Sequence, residues 1–106
     1  MTELQNSGLP EQVLIKIQQV FANHSDVKDV ILYGSRAKGT YRAGSDIDLT
    51  IKGGLISYSE LLTLETELDD LLLPYMIDLS VFEEIESDNL IEHIEQFGLL
   101  FYSAKK

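Results

Sequence analysis

Between Pro10 and Asn23 the apolar residues Val13, Leu14, Ile17, Val20 and Phe21 recur at the spacing of one helix face. Pro10 suits a first helical turn and Asn23 a helix end. The run VKDVILY (27–33) then reads as a buried strand leading into Gly34. DIDLTIK (46–52) alternates strictly, with Ile47, Leu49 and Ile51 on one side and Asp46, Asp48 and Thr50 on the other. Gly53-Gly54 breaks it. Ser57 and Glu60 form a capping box for a helix whose stripe is Leu61, Leu64, Leu68 and Leu71, stopping at Pro74. YMIDLSVF (75–82) predicts a third strand, with Ile77, Leu79 and Val81 opposite Met76, Asp78 and Ser80. Ser87 caps a last helix carried by Leu90, Ile91, Ile94 and Phe97 and ended by Gly98, and LLFY (99–102) adds a short edge strand.

The order is α-β-β-α-β-α. The second and third strands are joined through a helix, which predicts a parallel pair. The first and second are joined by a short loop, which predicts an antiparallel one. The expected fold is therefore α/β (α+β): a small mixed sheet with helices packed on one face. At 106 residues, one domain spans 1–106, with residues 1–9 expected to be loose.

Composition narrows the function. No apolar run approaches the roughly 20 residues of a membrane span, and the N-terminus lacks the basic start and apolar core of a signal peptide. With no cysteine there is no disulfide framework or thiolate metal site, and a cytoplasmic setting is the expectation. A formal charge of −10 repels phosphate backbones, so direct nucleic-acid binding is not expected. Against that background, three of the eight basic side chains, Arg36, Lys38 and Arg42, share the loop GSRAKGTYRAGS (34–45). Local positive charge on an acidic body marks a place for an anion.

The aspartates acquire geometry from the strand pattern. If the aliphatic triplets of the second and third strands face the helices, Asp46, Asp48 and Asp78 all point away from them onto one side of the sheet. A lone aspartate there is ordinarily just solvated. Three together repel one another unless cations lie between them, and carboxylate oxygens suit hard divalent cations. Two other motifs fail: Thr40 stands where a P-loop starting at Gly34 needs Lys, and Ile51 where a calcium loop starting at Asp46 needs Gly.

Gly34-Ser35, ten residues, then Asp46-x-Asp48 resembles the signature of the DNA polymerase beta-like nucleotidyltransferase superfamily. The wider string GSRAKGTYRAGSDIDL resembles its minimal nucleotidyltransferase (MNT) branch, and IDLSVFEEI around Asp78 is similar to that family's third carboxylate strand. The likeness covers about residues 10–102. It implies a nucleotidyltransferase fold and an enzyme of the EC 2.7.7 type. Asp46, Asp48 and Asp78 would be catalytic and hold two Mg²⁺ ions on the triphosphate of ATP, with Asp78 helping to deprotonate the attacking hydroxyl. Gly34 and Ser35 would grip the phosphates, joined by Arg36 and Ser45.

The physics of the residue types agrees. Paired metals stabilise the attacking and leaving oxygens, glycine admits phosphate to the backbone, and basic side chains offset charge on departing pyrophosphate. The chain shows no added acceptor-binding domain, so the acceptor is expected to be small or supplied by another protein. In the family that protein is a small helical HEPN toxin. The resemblance thus implies a Mg²⁺-dependent antitoxin that transfers AMP to a hydroxyl, expected to be tyrosine, of a HEPN partner. The alternative is a non-catalytic antitoxin or assembly subunit that binds nucleotide and masks its partner. His24 and His93 read as solvated helix-end and helix-surface residues, and FEEIESD (82–88) as a solvated turn.

Overall fold

The computed structural model describes residues 3–104. Four strands, β1 (Asp29–Tyr33), β2 (Ile47–Lys52), β3 (Ile77–Val81) and β4 (Leu99–Ser103), form one sheet in the order β3-β2-β1-β4. β1 runs antiparallel to β2 and β4, and β2 runs parallel to β3, the mixed sheet expected from the connections. Pairing with β4 shifts register between Val30 and Ile31 and leaves Phe101 unmatched.

Helices α1 (Glu11–Ala22) and α3 (Tyr58–Asp69) lie on the aliphatic side of the sheet. There Ile17, Phe21 and Leu64 join Val30, Leu32, Ile47, Leu49 and Ile51 in a single apolar core. α3 begins where the capping box requires, the Ser57 hydroxyl accepting from the Glu60 N–H at 3.0 Å. It ends earlier than its leucine stripe suggests. After Asp69 the chain tightens through Leu72, a non-glycine residue at φ 56°, before Pro74. The helices-on-one-face expectation describes α1 and α3. A further helix, α4 (Asp88–Phe97), lies across the opposite face: a β-carbon at Gly98, just past its end, would press on Ile31 Cγ2. Ile31 alternates with the core residues Val30 and Leu32, so it belongs to the aspartate side.

The pattern gives no element before Pro10, yet part of this segment packs into the core. A 3₁₀ turn (Glu3–Ser7) buries Leu4 and Ser7, and Leu9 follows them inside. Residues 1 and 2 lie outside the described residues. A four-residue helix, α2 (Ser35–Lys38), follows β1 and is likewise not predicted by the pattern. Among the described residues, no helix is long and apolar enough to cross a membrane.

Candidate active site

Parallel pairing of β2 with β3 sets Asp48 directly beside Asp78 and Thr50 beside Ser80. In-register neighbours in a sheet project to the same face. Asp46, exposed just before β2, completes the group, and both other carboxylates act on Asp48. Partial burial, then the charges of Asp78 and Asp46, push the Asp48 carboxyl above the usual aspartate range. The surroundings of Asp48 thus disfavour its charged form. Among the described residues, however, no three His, Cys, Asp or Glu side chains converge closely enough to enclose a metal ion. The carboxylates share a face without closing on one point.

Opposite Asp48 in the antiparallel register stands Tyr33, the last residue of β1. Its ring is buried and its hydroxyl reaches Ser80, whose Oγ donates to the fully buried Thr50 Oγ1 at 2.9 Å. Burial, with Asp78 and Asp48 behind it, raises the Tyr33 phenol above its ordinary value despite the Ser80 hydrogen bond. It therefore remains neutral at physiological pH.

Gly34 then turns the chain over the carboxylates. It sits at φ 79°, ψ −157°, and a β-carbon built there would collide with Asp48 Oδ2. Two constraints coincide at this residue, a backbone conformation that L side chains avoid and a carboxylate pressed against the α-carbon. From Gly34 the chain enters α2, capped by the left-handed Gly39.

The three cations of the loop have different fates. Arg36 is buried, only 2% exposed. Its Nη1 donates to the Ser7 carbonyl at 2.8 Å and its Nε to the Ser45 carbonyl at 3.1 Å. Its guanidinium lies 5.1 Å from the ring centres of both Tyr41 and Tyr75. Arg36, read from the sequence as a phosphate contact, is here a tie between the N-terminal turn, the loop and the entrance to β3. Ser45 is also engaged locally. Its Oγ accepts from the Arg42 N–H at 2.8 Å, and its own N–H donates to the Arg42 carbonyl at 2.9 Å, closing the turn at Gly44. Lys38 and Arg42 are the exposed cations, and Lys38 Nζ sits 5.1 Å over the Phe97 ring.

His93 departs from its reading as a solvated helix-surface residue: its Nε2 accepts from the Gly34 N–H at 2.9 Å, and its ring meets Tyr33 edge-on and Phe97 at a tilt. The signal was present in the periodicity. Position 93 is three residues after Leu90 and four before Phe97, on the apolar stripe of α4. His24 also has partners, Glu67 at 2.9 Å and Glu60 at 3.4 Å, which join the end of α1 to α3.

No curated protein matches the chain. Solved structures do. One is a toxin-antitoxin complex with AMP-PNP (22% identity over 92% of this chain and 76% of that one, TM-score 0.66). Another is the toxin-antitoxin MntA-HepT (16% identity, 90% and 74% covered, TM-score 0.65). A third holds a tri-AMPylated Shewanella oneidensis HEPN toxin with its MNT antitoxin (18% identity, 89% and 72% covered, TM-score 0.64). At these identities the likeness is one of fold. The sequence profile described as "Polymerase beta, Nucleotidyltransferase" matches residues 15–106 and so takes in the turn, all three aspartates and α4. On that match the chain belongs to the polymerase beta nucleotidyltransferase family.

Proposed function

We propose that this chain transfers AMP from ATP to a tyrosine hydroxyl of a HEPN-type partner and thereby acts as that partner's antitoxin. One observation carries the reading: Asp48 and Asp78 stand side by side in register, with Asp46 near, beneath a turn whose glycine leaves no room for a β-carbon. Family membership supports nucleotidyl transfer. The AMP-PNP complex and the AMPylated HEPN toxin among the structural neighbours support an adenine nucleotide and a HEPN-type partner as the acceptor.

In the reaction the acceptor hydroxyl oxygen attacks the α-phosphorus, the bond to the α–β bridging oxygen breaks, and pyrophosphate leaves. The attacking oxygen must be held about 3–3.5 Å from phosphorus, which a docked partner does by presenting its tyrosine beside Asp78. Asp78 takes the hydroxyl proton on a carboxylate oxygen. Ser35, carried into place by the Gly34 turn, faces the phosphates, while Arg36 and Ser45 hold the loop in shape from behind.

Asp46, Asp48 and Asp78 are the residues that would hold Mg²⁺. The donor set fits, because Mg²⁺ is bound by one or two carboxylates together with substrate phosphates rather than by an all-protein cage. Burial and the neighbouring Asp78 and Asp46 disfavour a charged Asp48, a cost that a bound cation would relieve. When bound, the ions supply charge compensation along the triphosphate and on the departing pyrophosphate.

Intact-mass measurement of the partner tests the proposal. Incubated with this chain, ATP and Mg²⁺, the HEPN partner should gain one or more AMP units and release pyrophosphate. Asp46→Asn and Asp48→Asn should remove the mass gain while leaving the complex assembled. A partner that stays unmodified yet fully inhibited would support the non-catalytic masking reading, which the open spacing of the carboxylates also allows.

A further inference from the structure

Gly34 carries a contradiction. Its proximity to Asp48 excludes any side chain, so it must be glycine. Glycine is also the residue with the greatest backbone freedom, and a turn that positions phosphates cannot wander. Something outside the turn has to remove that freedom.

His93 is placed to do so. The Gly34 N–H donates to His93 Nε2 at 2.9 Å across 59 residues of sequence. This bond fixes the plane of the Tyr33–Gly34 peptide, the hinge between β1 and the turn. An accepting Nε2 carries no proton, so the ring is held as the tautomer protonated on Nδ1. The imidazole is itself fixed on two sides, its centre 6.1 Å from the Tyr33 ring and 5.4 Å from that of Phe97. Its helix is seated too: Ile94 is buried, and Gly98 lets the chain pass tight against Ile31. Lys38, from the far side of the turn, closes over Phe97. Strand, turn and helix thus meet at one ring.

We infer that His93 is a positioning residue of the nucleotide site, one that locks the Gly34 peptide in the orientation carrying the turn over Asp48. The inference rests on the nucleotide-site reading proposed above. It has a corollary: the Gly34 amide is committed to His93, so phosphate recognition falls to Ser35 and the groups beyond it.

The decisive comparison is among His93→Leu, His93→Gln and His93→Asn. Leucine keeps the apolar contacts and removes the acceptor. The dissociation constant for ATP with Mg²⁺, read by calorimetry, should rise roughly three- to tenfold, the loss expected for one hydrogen bond. In the transfer assay KM for ATP should rise with kcat nearly unchanged. The Gln side chain reaches as far as Nε2 and should restore binding to within about twofold of the wild type, whereas Asn is too short and should behave as Leu does.

Hydrogen exchange reads the bond itself, without nucleotide. The Gly34 amide should be protected in the wild type and exposed in His93→Leu, while Leu32 in β1 stays protected in both. Should the leucine variant fail to fold, wild-type exchange and the Gln–Asn pair still decide. ATP binding unchanged or tighter in His93→Leu, equal behaviour of Gln and Asn, or an unprotected wild-type Gly34 amide overturns the role of His93 and leaves the nucleotide reading standing. A wild type that binds no ATP, with Gly34 protected, overturns the nucleotide reading and the positioning role together.

Discussion

The two sides of β2 obey opposite rules. On one, Ile47, Leu49 and Ile51 are fully buried in a continuous apolar core under α1 and α3, every neighbour agreeing with every other. On the other, Asp48 stands in register beside Asp78 with Asp46 near, and its ionisation is disfavoured by burial and by both neighbours. The same six-residue strand holds the molecule together with one set of side chains and stores electrostatic tension with the alternate set. Removing a group from the first side should weaken the fold, and removing charge from the second should strengthen it.

The largest effect expected is Leu49→Ala. It empties a site with no exposure and should cost about 2–5 kcal/mol, lowering Tm on the order of ten degrees or more in thermal unfolding. Gly34→Ala comes next and strikes across the comparison, since it harms backbone and carboxylate at once. The positive φ alone should cost about 1–3 kcal/mol. Displacement of the Asp48 carboxylate should weaken ATP binding as well. Normal ATP affinity in a destabilised Gly34→Ala would show that the turn and Asp48 are not coupled.

Asp48→Asn sharpens the contrast most, because its two effects have opposite signs. Transfer activity should fall by about a hundred- to a thousandfold. With chelator present, Tm at neutral pH should rise by a few degrees at most, because the repelling charge is gone. A lower Tm would mean that Asp48 makes stabilising contacts outweighing its repulsion.

The smallest effect is the pH dependence of that gain. A carboxyl whose folded pKa is raised binds protons more readily in the folded state than in the unfolded one. Its cost to stability is present above the folded value and relieved as pH falls through it. The Tm difference between wild type and Asp48→Asn should therefore narrow as pH drops towards the carboxylate range. A difference independent of pH would assign the gain to something other than charge.

Much of this was readable before the structure. Strict alternation in DIDLTIK put the aspartates on one side, Ser57 and Ser87 announced their helices, and connection lengths gave the strand directions. What escaped depended on contacts remote in sequence. Arg36, Lys38 and Arg42 look alike along the chain; they differ because Ser7 and Tyr75, which only the fold brings close, close around the first. α2, four residues long, is too short to show a period. His93 was legible as an inward helix position, but what it touches was not, since its partner is a backbone amide and no side-chain pattern encodes one.

The order of the strands bears on how the protein is made. β4 follows the other three described strands in sequence yet pairs with the first of them, β1, and α4 is joined directly to it through Gly98. While the chain is being synthesised, β1, the glycine turn and all three aspartates emerge before the helix that steadies them. Until residues 88–103 are out and paired, the turn has no His93 to hold it. The carboxylates are therefore translated before α4 and β4, whose arrival completes the support of the turn.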